Sequence, residues 1–420
     1  MASRNTNTMY YVGGGIGIAG VAVASVIGLP DIARVSYSPD TSSTFIEAEE
    51  DVATSTASMP EPAEPRVITI ETPEEVKALY MTQCVAGTPS MRRRLVSIAE
   101  STEVNALMID IKDYTGTLAF EPHSEKLKPY FGTHCYAPDM REFIRMLNEK
   151  DIYVIGRITV FQDPLWAKRN PEYAVKAEST GKIWTDNNGL HFVDVGAEAF
   201  WDYIVTLSED AARIGFDELN YDYIRYPSDG DMQDIQYPIS EARVNADSVH
   251  GKAEQVRDFF AYLKTHTDDL DIATSADLFG MVTTNPDDLN IGQILEYALP
   301  YFDYIAPMVY PSHYPPGFNG WSDPNDYPHE VIEHSMTRAV ERTRVFKQST
   351  STPAEVRTHV SVDQLRPWIQ DFDYGGNYGA KEVRAQIEAV YDSGLDSWMI
   401  WDPANRYTIE ALEKAKPHSN

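Results

Sequence analysis

Beyond residue 75 the chain alternates between two hydrophobic periodicities. Eight short runs of β-branched, aliphatic and aromatic residues read as strands: 77–84, 105–112, 152–159, 216–223, 271–278, 303–310, 363–370 and 395–401. Between them the apolar positions recur every three to four residues, as in MRRRLVSIAE, DMREFIRMLNE, EAFWDYIVTLSEDAARI, KAEQVRDFFAYLKTH and EVRAQIEAVYDSG. Strand–helix alternation of this kind predicts a parallel sheet. Eight units predict an α/β fold, a (β/α)8 TIM barrel with long loops at its C-terminal face. The alternative is an open doubly wound sheet, but no Gly-rich phosphate turn follows the first run.

The first 75 residues follow neither pattern. Tyr10 to Leu29 carries no charge and is long enough to span a bilayer. Arg4 precedes it and acidic residues follow, which puts everything after residue 30 outside the cytoplasm. We therefore expect a transmembrane anchor or signal segment at 1–30, cleavable after Ala22-Val23-Ala24 in the second case. Residues 31–75 are acidic and rich in Ser, Thr and Pro, the composition of a disordered linker. The barrel would occupy 76–415, membrane-anchored and extracellular or periplasmic, or secreted if the first segment is removed.

Charge narrows the partners. With 35 basic and 64 acidic residues the formal net charge is −29, which repels phosphate backbones and excludes nucleic acid as a natural partner. Two cysteines exclude a disulfide-rich scaffold. Cys84 ends the first strand and Cys135 lies in the loop after the second; outside the cell these neighbours should form a disulfide. No HxH or HExxH spacing points to a metal, no GxSxG elbow points to a serine nucleophile, and no cofactor is expected.

Side-chain alternation locates the chemistry. In the fourth strand Leu219, Tyr221 and Tyr223 form the apolar set, so Glu218, Asn220 and Asp222 should face the barrel interior. The same count turns Met108, Asp110 and Lys112 inward from the second strand, Arg157 from the third, and Ser275 with Asp277 from the fifth. Paired carboxylates at a barrel mouth are the equipment of glycoside hydrolysis: one protonates the leaving oxygen while the other attacks or activates water. Asp222 is the first choice for nucleophile and Asp277 for acid/base, with Asp110, Asp113, Glu218 and Asp371 in reserve. Against this, Glu218 and Asp110 are also readable as structural carboxylates paired with Arg157, Lys112 or Arg225.

Three long loops, after the third, fourth and sixth strands, should build the mouth, the first as a β-hairpin excursion turning at Thr180-Gly181 and Asn188-Gly189. The expected substrate-binding set is Asp110, Asp113, Arg157, Arg225, Gln370 and Asp371 with the aromatics Trp184, Tyr310, Trp321, Trp368 and Trp401, and His313 as a partner for a sugar hydroxyl. Trp184 and Trp321 lie in loops and suit stacking, whereas Trp368 and Trp401 read equally well as core.

Six segments in order, IDIKDYTG (109–116), IYVIGRITVFQDP (152–164), GFDELNYDYIRYPSDG (215–230), SADLFG (275–280), PMVYPSHY (307–314) and RPWIQDF (366–372), resemble the putative glycoside hydrolase domain family. The resemblance runs from about residue 77 to 406. It implies an exported bacterial or archaeal (β/α)8 barrel that cleaves glycosidic bonds, and its sharpest carboxylate motif falls on Asp222 and Arg225. The expected substrate is a polysaccharide or cell-surface glycan. The rival expectations are a catalytically silent carbohydrate-binding protein and a structural envelope protein on the same fold.

Overall fold

The computed structural model describes residues 69–132 and 134–415. Eight strands close into a parallel barrel in chain order: β1 (Lys77–Met81), β2 (Ala106–Lys112), β3 (Tyr153–Thr159), β4 (Glu218–Asp222), β5 (Ala273–Phe279), β6 (Tyr304–Met308), β7 (Trp368–Gln370) and β8 (Trp398–Trp401). Each falls within or beside its expected run. Six longer helices surround them: α1 (Pro89–Ser101), α2 (Met140–Asn148), α3 (Glu198–Ile214), α4 (Gly251–Thr267), α5 (Pro328–Gln348) and α6 (Ala380–Asp392). The ring is uneven. Among the described residues only the short turns Gly280–Thr283 and Leu295–Ala298 stand between β5 and β6, and only the Ile409–Ala411 turn follows β8.

The sequence pattern builds two separate apolar layers, as a closed barrel requires. Outward residues such as Leu107, Ile109, Leu219 and Tyr221 pack under the helices. Inward residues, among them Ala78, Met108, Ile155, Ala306 and Met399, fill the lumen together with Tyr80, Tyr153, Tyr310 and Trp368. Below the mouth, the buried Arg366 holds both carboxylate oxygens of Glu218 at 3.0 Å, and Tyr153 donates to the same group at 3.1 Å.

Lys112 departs from the expected parity. The β2–β3 register slips between Asp110 and Lys112, so a bulge at Ile111 turns Lys112 out of the lumen. Its ammonium instead pairs with the equally buried Asp163 at 2.9 Å and donates to the Thr159 carbonyl. Residues just before β1, within the expected linker span 31–75, are held against the barrel. Ile70 packs against the inward residues and donates to Asp217 at 2.9 Å, and Thr72 meets the Tyr153 hydroxyl at 2.8 Å. The expected anchor at 1–30 and the linker as far as residue 68 lie outside the described residues. Among the described residues no helix is long and apolar enough to cross a membrane.

The loop after β3 contains the expected turns. Lys176 bridges Ile183 in antiparallel fashion, and Gly181 and Gly189 take the left-handed conformation at φ 66° and 76°. Cys84 and Cys135 are joined by a disulfide with a Cα separation of 4.0 Å, tying the loop after β1 to the loop after β2.

Candidate active site

The interior side of β4 carries Glu218, Asn220 and Asp222, and neighbouring strands bring Asp110, Arg157 and Asp277 to the same level. Arg157 is the hub. It donates to Asp110 through Nη1 at 2.7 Å and grips Asp222 through Nε at 3.2 Å and through Nη2. The same Nε lies 3.8 Å from Asp277 Oδ2. Asp222 Oδ2 and Asp277 Oδ2 are therefore no more than 7.0 Å apart, the sum of their distances to one nitrogen. Register explains the proximity: Tyr221 pairs with Ala276, so Asp222 and Asp277 occupy the next position on adjacent strands.

The two carboxyls have different surroundings. Asp222 receives the guanidinium on Oδ2 and the Tyr223 backbone N–H on Oδ1. That N–H is aimed by an unusual backbone, since Tyr223 is left-handed at φ 53° although it is not glycine. Asp277 instead accepts neutral donors on Oδ1, Asn220 at 2.9 Å and the Trp368 indole at 2.8 Å, while its Oδ2 is buried with no hydrogen-bond partner. Burial first, and then the charge of Asp222, push the Asp277 carboxyl well above the usual carboxylate range, against the pull of Arg157. Asp222 and Asp277 are 3% and 1% exposed.

Asp110 completes the first ring of contacts. Burial raises its carboxyl to about 6 despite Arg157 and a hydrogen bond from Tyr80. Tyr80 stacks on Trp401 with ring centroids 3.7 Å apart, and the Arg157 guanidinium lies 5.0 Å from the Trp401 ring. Asp113 stands just outside, bound by Gln83 at 2.8 Å and by Thr115. On the far side Tyr310 is buried, and after its burial the charges of Asp277 and Asp222 raise its phenol well above the ordinary value. Its ring meets His313 edge-on at 5.1 Å; burial lowers His313 to about 4, so the imidazole is neutral at physiological pH.

The other expected site residues make contacts of their own around this centre. Trp184 is 3% exposed, donates to the Asp231 carbonyl and packs on Phe192, so it braces two loops instead of offering a stacking face. Trp321 stacks on Tyr327 and meets His334 at the start of α5. Trp368 is fully buried and orients Asp277. Gln370 is buried too: it accepts from the Ser312 hydroxyl at 2.8 Å and donates to the Phe372 carbonyl. Asp371 accepts twice from Thr408 and fastens the C-terminal segment, and burial raises its carboxyl to about 6. Arg225 lies over the Tyr223 ring at 4.8 Å and donates to Tyr226 O and Ser228, remaining at the rim. Glu218 is held by Arg366, neither Arg157, Lys112 nor Arg225. Tyr80 and the role of Asn220 escaped the sequence reading, although the alternation in β1 points Tyr80 inward with Ala78.

With this geometry in view, the likenesses to known proteins can be stated. The PgaB (BpsB) glycoside hydrolase domain from Bordetella bronchiseptica is 14% identical over 81% of this chain and 99% of its own, with a TM-score of 0.56, and shares the fold. A hypothetical protein from Ruminiclostridium thermocellum is 28% identical over 47% of this chain and 96% of its own, at a TM-score of 0.41. A chitinase from Chromobacterium violaceum is 12% identical over 80% and 96%, at 0.47. No curated protein matches the sequence. The family model described as "Putative glycosyl hydrolase domain" matches residues 78–407, most of the chain and all eight strands, and the protein belongs to that family.

Proposed function

We propose that the protein hydrolyses glycosidic bonds of a polysaccharide or cell-surface glycan, with Asp222 as nucleophile and Asp277 as acid/base. The observation that carries this reading is the contrast within one neighbouring pair. Asp222 is gripped by a guanidinium, whereas Asp277 is held by neutral donors and pushed towards its protonated form. Opposed environments on paired carboxyls are what acid and nucleophile roles require. In the first step an Asp222 oxygen bonds to the anomeric carbon, the glycosidic C–O bond breaks, and the leaving oxygen takes the Asp277 proton. In the second, Asp277 removes a proton from water, which displaces Asp222 and releases the sugar.

Adjacent inward positions on paired strands favour a separation of about 5 Å, the retaining geometry. Arg157 would orient Asp222, and Asn220 and Trp368 would hold Asp277. The disulfide supports an oxidising compartment, and the uncharged stretch Tyr10 to Leu29 supports export. A panel of aryl glycosides tests the reading on the full chain. Hydrolysis should vanish in Asp222→Asn, while Asp277→Asn should spare only substrates with acidic leaving groups, and product NMR should show retained configuration. Activity undiminished in both variants would sink the assignment; an inverted product would remove the nucleophile role alone.

A further inference from the structure

Most large aromatic side chains of the described residues are buried or half-buried. Two are exposed, Tyr114 and Tyr374, each at 44%. Both stand at the C-terminal mouth: Tyr114 is two residues past the end of β2, and Tyr374 four past the end of β7. Their surroundings connect each to the site. Tyr114 has its phenol raised by partial burial and then by nearby Asp113 and Asp110. Tyr374 lies 6.4 Å from His313, which in turn meets Tyr310.

Strand order sets the layout. Around the closed barrel β7, β8, β1 and β2 are consecutive, and β4 and β5 lie diametrically across from β8 and β1. The dyad on β4 and β5 therefore faces the stacked Trp401 and Tyr80. The two exposed tyrosines follow the strands that flank that wall, and β2 and β7 are three strand spacings or roughly 14 Å apart along the sheet. The strands that carry them, β2 and β7, define a line across the mouth at right angles to the line from dyad to wall.

Charge limits what can lie there. Asp110, Asp222 and Asp277 gather on one arginine with Asp113 just outside, in a chain of net charge −29. A polymer carrying carboxylates or sulfates would be repelled along its whole length.

We propose that Tyr114 and Tyr374 are the stacking platforms at the two ends of a groove crossing the barrel mouth, and that this groove takes an extended glycan chain free of carboxylate and sulfate groups. The inference rests on the glycoside-hydrolase reading of the dyad and extends it to cleavage within a chain.

Affinity electrophoresis of the full chain carrying Asp222→Asn, in gels containing hydroxyethyl cellulose, xylan, laminarin, mannan or polygalacturonate, tests it. At least one uncharged polymer should retard the protein, and polygalacturonate should not. Tyr114→Ala and Tyr374→Ala should each weaken the retarding polymer about three- to tenfold, as expected for loss of one aromatic contact. Tyr114→Trp and Tyr374→Trp should keep the affinity, which separates stacking from misfolding. Retardation equal in all variants overturns the groove, and polygalacturonate binding best overturns the substrate class. If no polymer retards the protein while aryl glycosides are still cleaved through Asp222, the groove falls and the hydrolase reading stands.

Discussion

Arg366→Met isolates the ionic layer beneath the dyad. Both partners are buried, and Arg366 holds each Glu218 oxygen at 3.0 Å. Removing the guanidinium deletes two hydrogen bonds to a charged group, each worth about 1.5–3 kcal/mol. It leaves Glu218 with the Tyr153 hydroxyl at 3.1 Å as its remaining partner. Breaking a buried pair from one side costs about 3–5 kcal/mol, a large share of a domain's stability of about 5–15 kcal/mol. The double variant Arg366→Met with Glu218→Gln removes the stranded charge and should recover most of that loss. Urea unfolding followed by fluorescence of the buried Trp368 and Trp398 measures both. The reasoning fails if the single variant loses less than about 1 kcal/mol, or if the double variant is no more stable than the single. Turnover adds a second check. Glu218 lies four residues before Asp222 on the same strand, about 13 Å back along it, so the double variant should remain active.

Tyr80→Phe removes a hydrogen bond that favours charged Asp110, whose carboxyl already stands at about 6. The Asp110 value should rise further, and the acidic limb of a kcat/KM profile should move to higher pH; a limb that stays put would contradict the coupling. Replacing Cys84 and Cys135 together by alanine opens a cross-link across a sequence separation of 51, worth about 4 kcal/mol by chain entropy. Thermal unfolding should show a clearly lower Tm, and added reductant should lower that of the parent but not of the variant. Tyr223→Asn tolerates the left-handed backbone and Tyr223→Val does not, so Val should be less stable by about 1–2 kcal/mol and lower in kcat. Equal behaviour would show that this backbone does not position Asp222.

Strand identity was legible because period-two alternation survives wherever a strand is regular. It turned Glu218, Asn220 and Asp222 to one face and Ser275 with Asp277 likewise, whereas the nearness of Asp277 to Asp222 comes from the β4–β5 register, which alternation cannot give. The same counting failed at Lys112, where the register slip at Ile111 reversed the face in a single step. Loop aromatics were harder. Trp184 lies in a polar, turn-rich stretch that reads as exposed, yet two loops fold over it and Gly230 packs against its ring. Nothing local in the sequence announces such a contact between distant segments. The dipole and charge environment that distinguishes Asp222 from Asp277 was equally hidden, since it depends on Arg157 and Trp368 arriving from β3 and β7.

The lumen is blocked below the dyad, first by the layer of Glu218, Arg366 and Tyr153 and then by the segment around Ile70. The barrel is closed at that end, which leaves the C-terminal mouth as the way to the dyad. Nothing can be threaded through the barrel or ejected from beneath. For a glycan lying across the mouth as proposed, this imposes no traffic problem: once cut, each half would withdraw sideways.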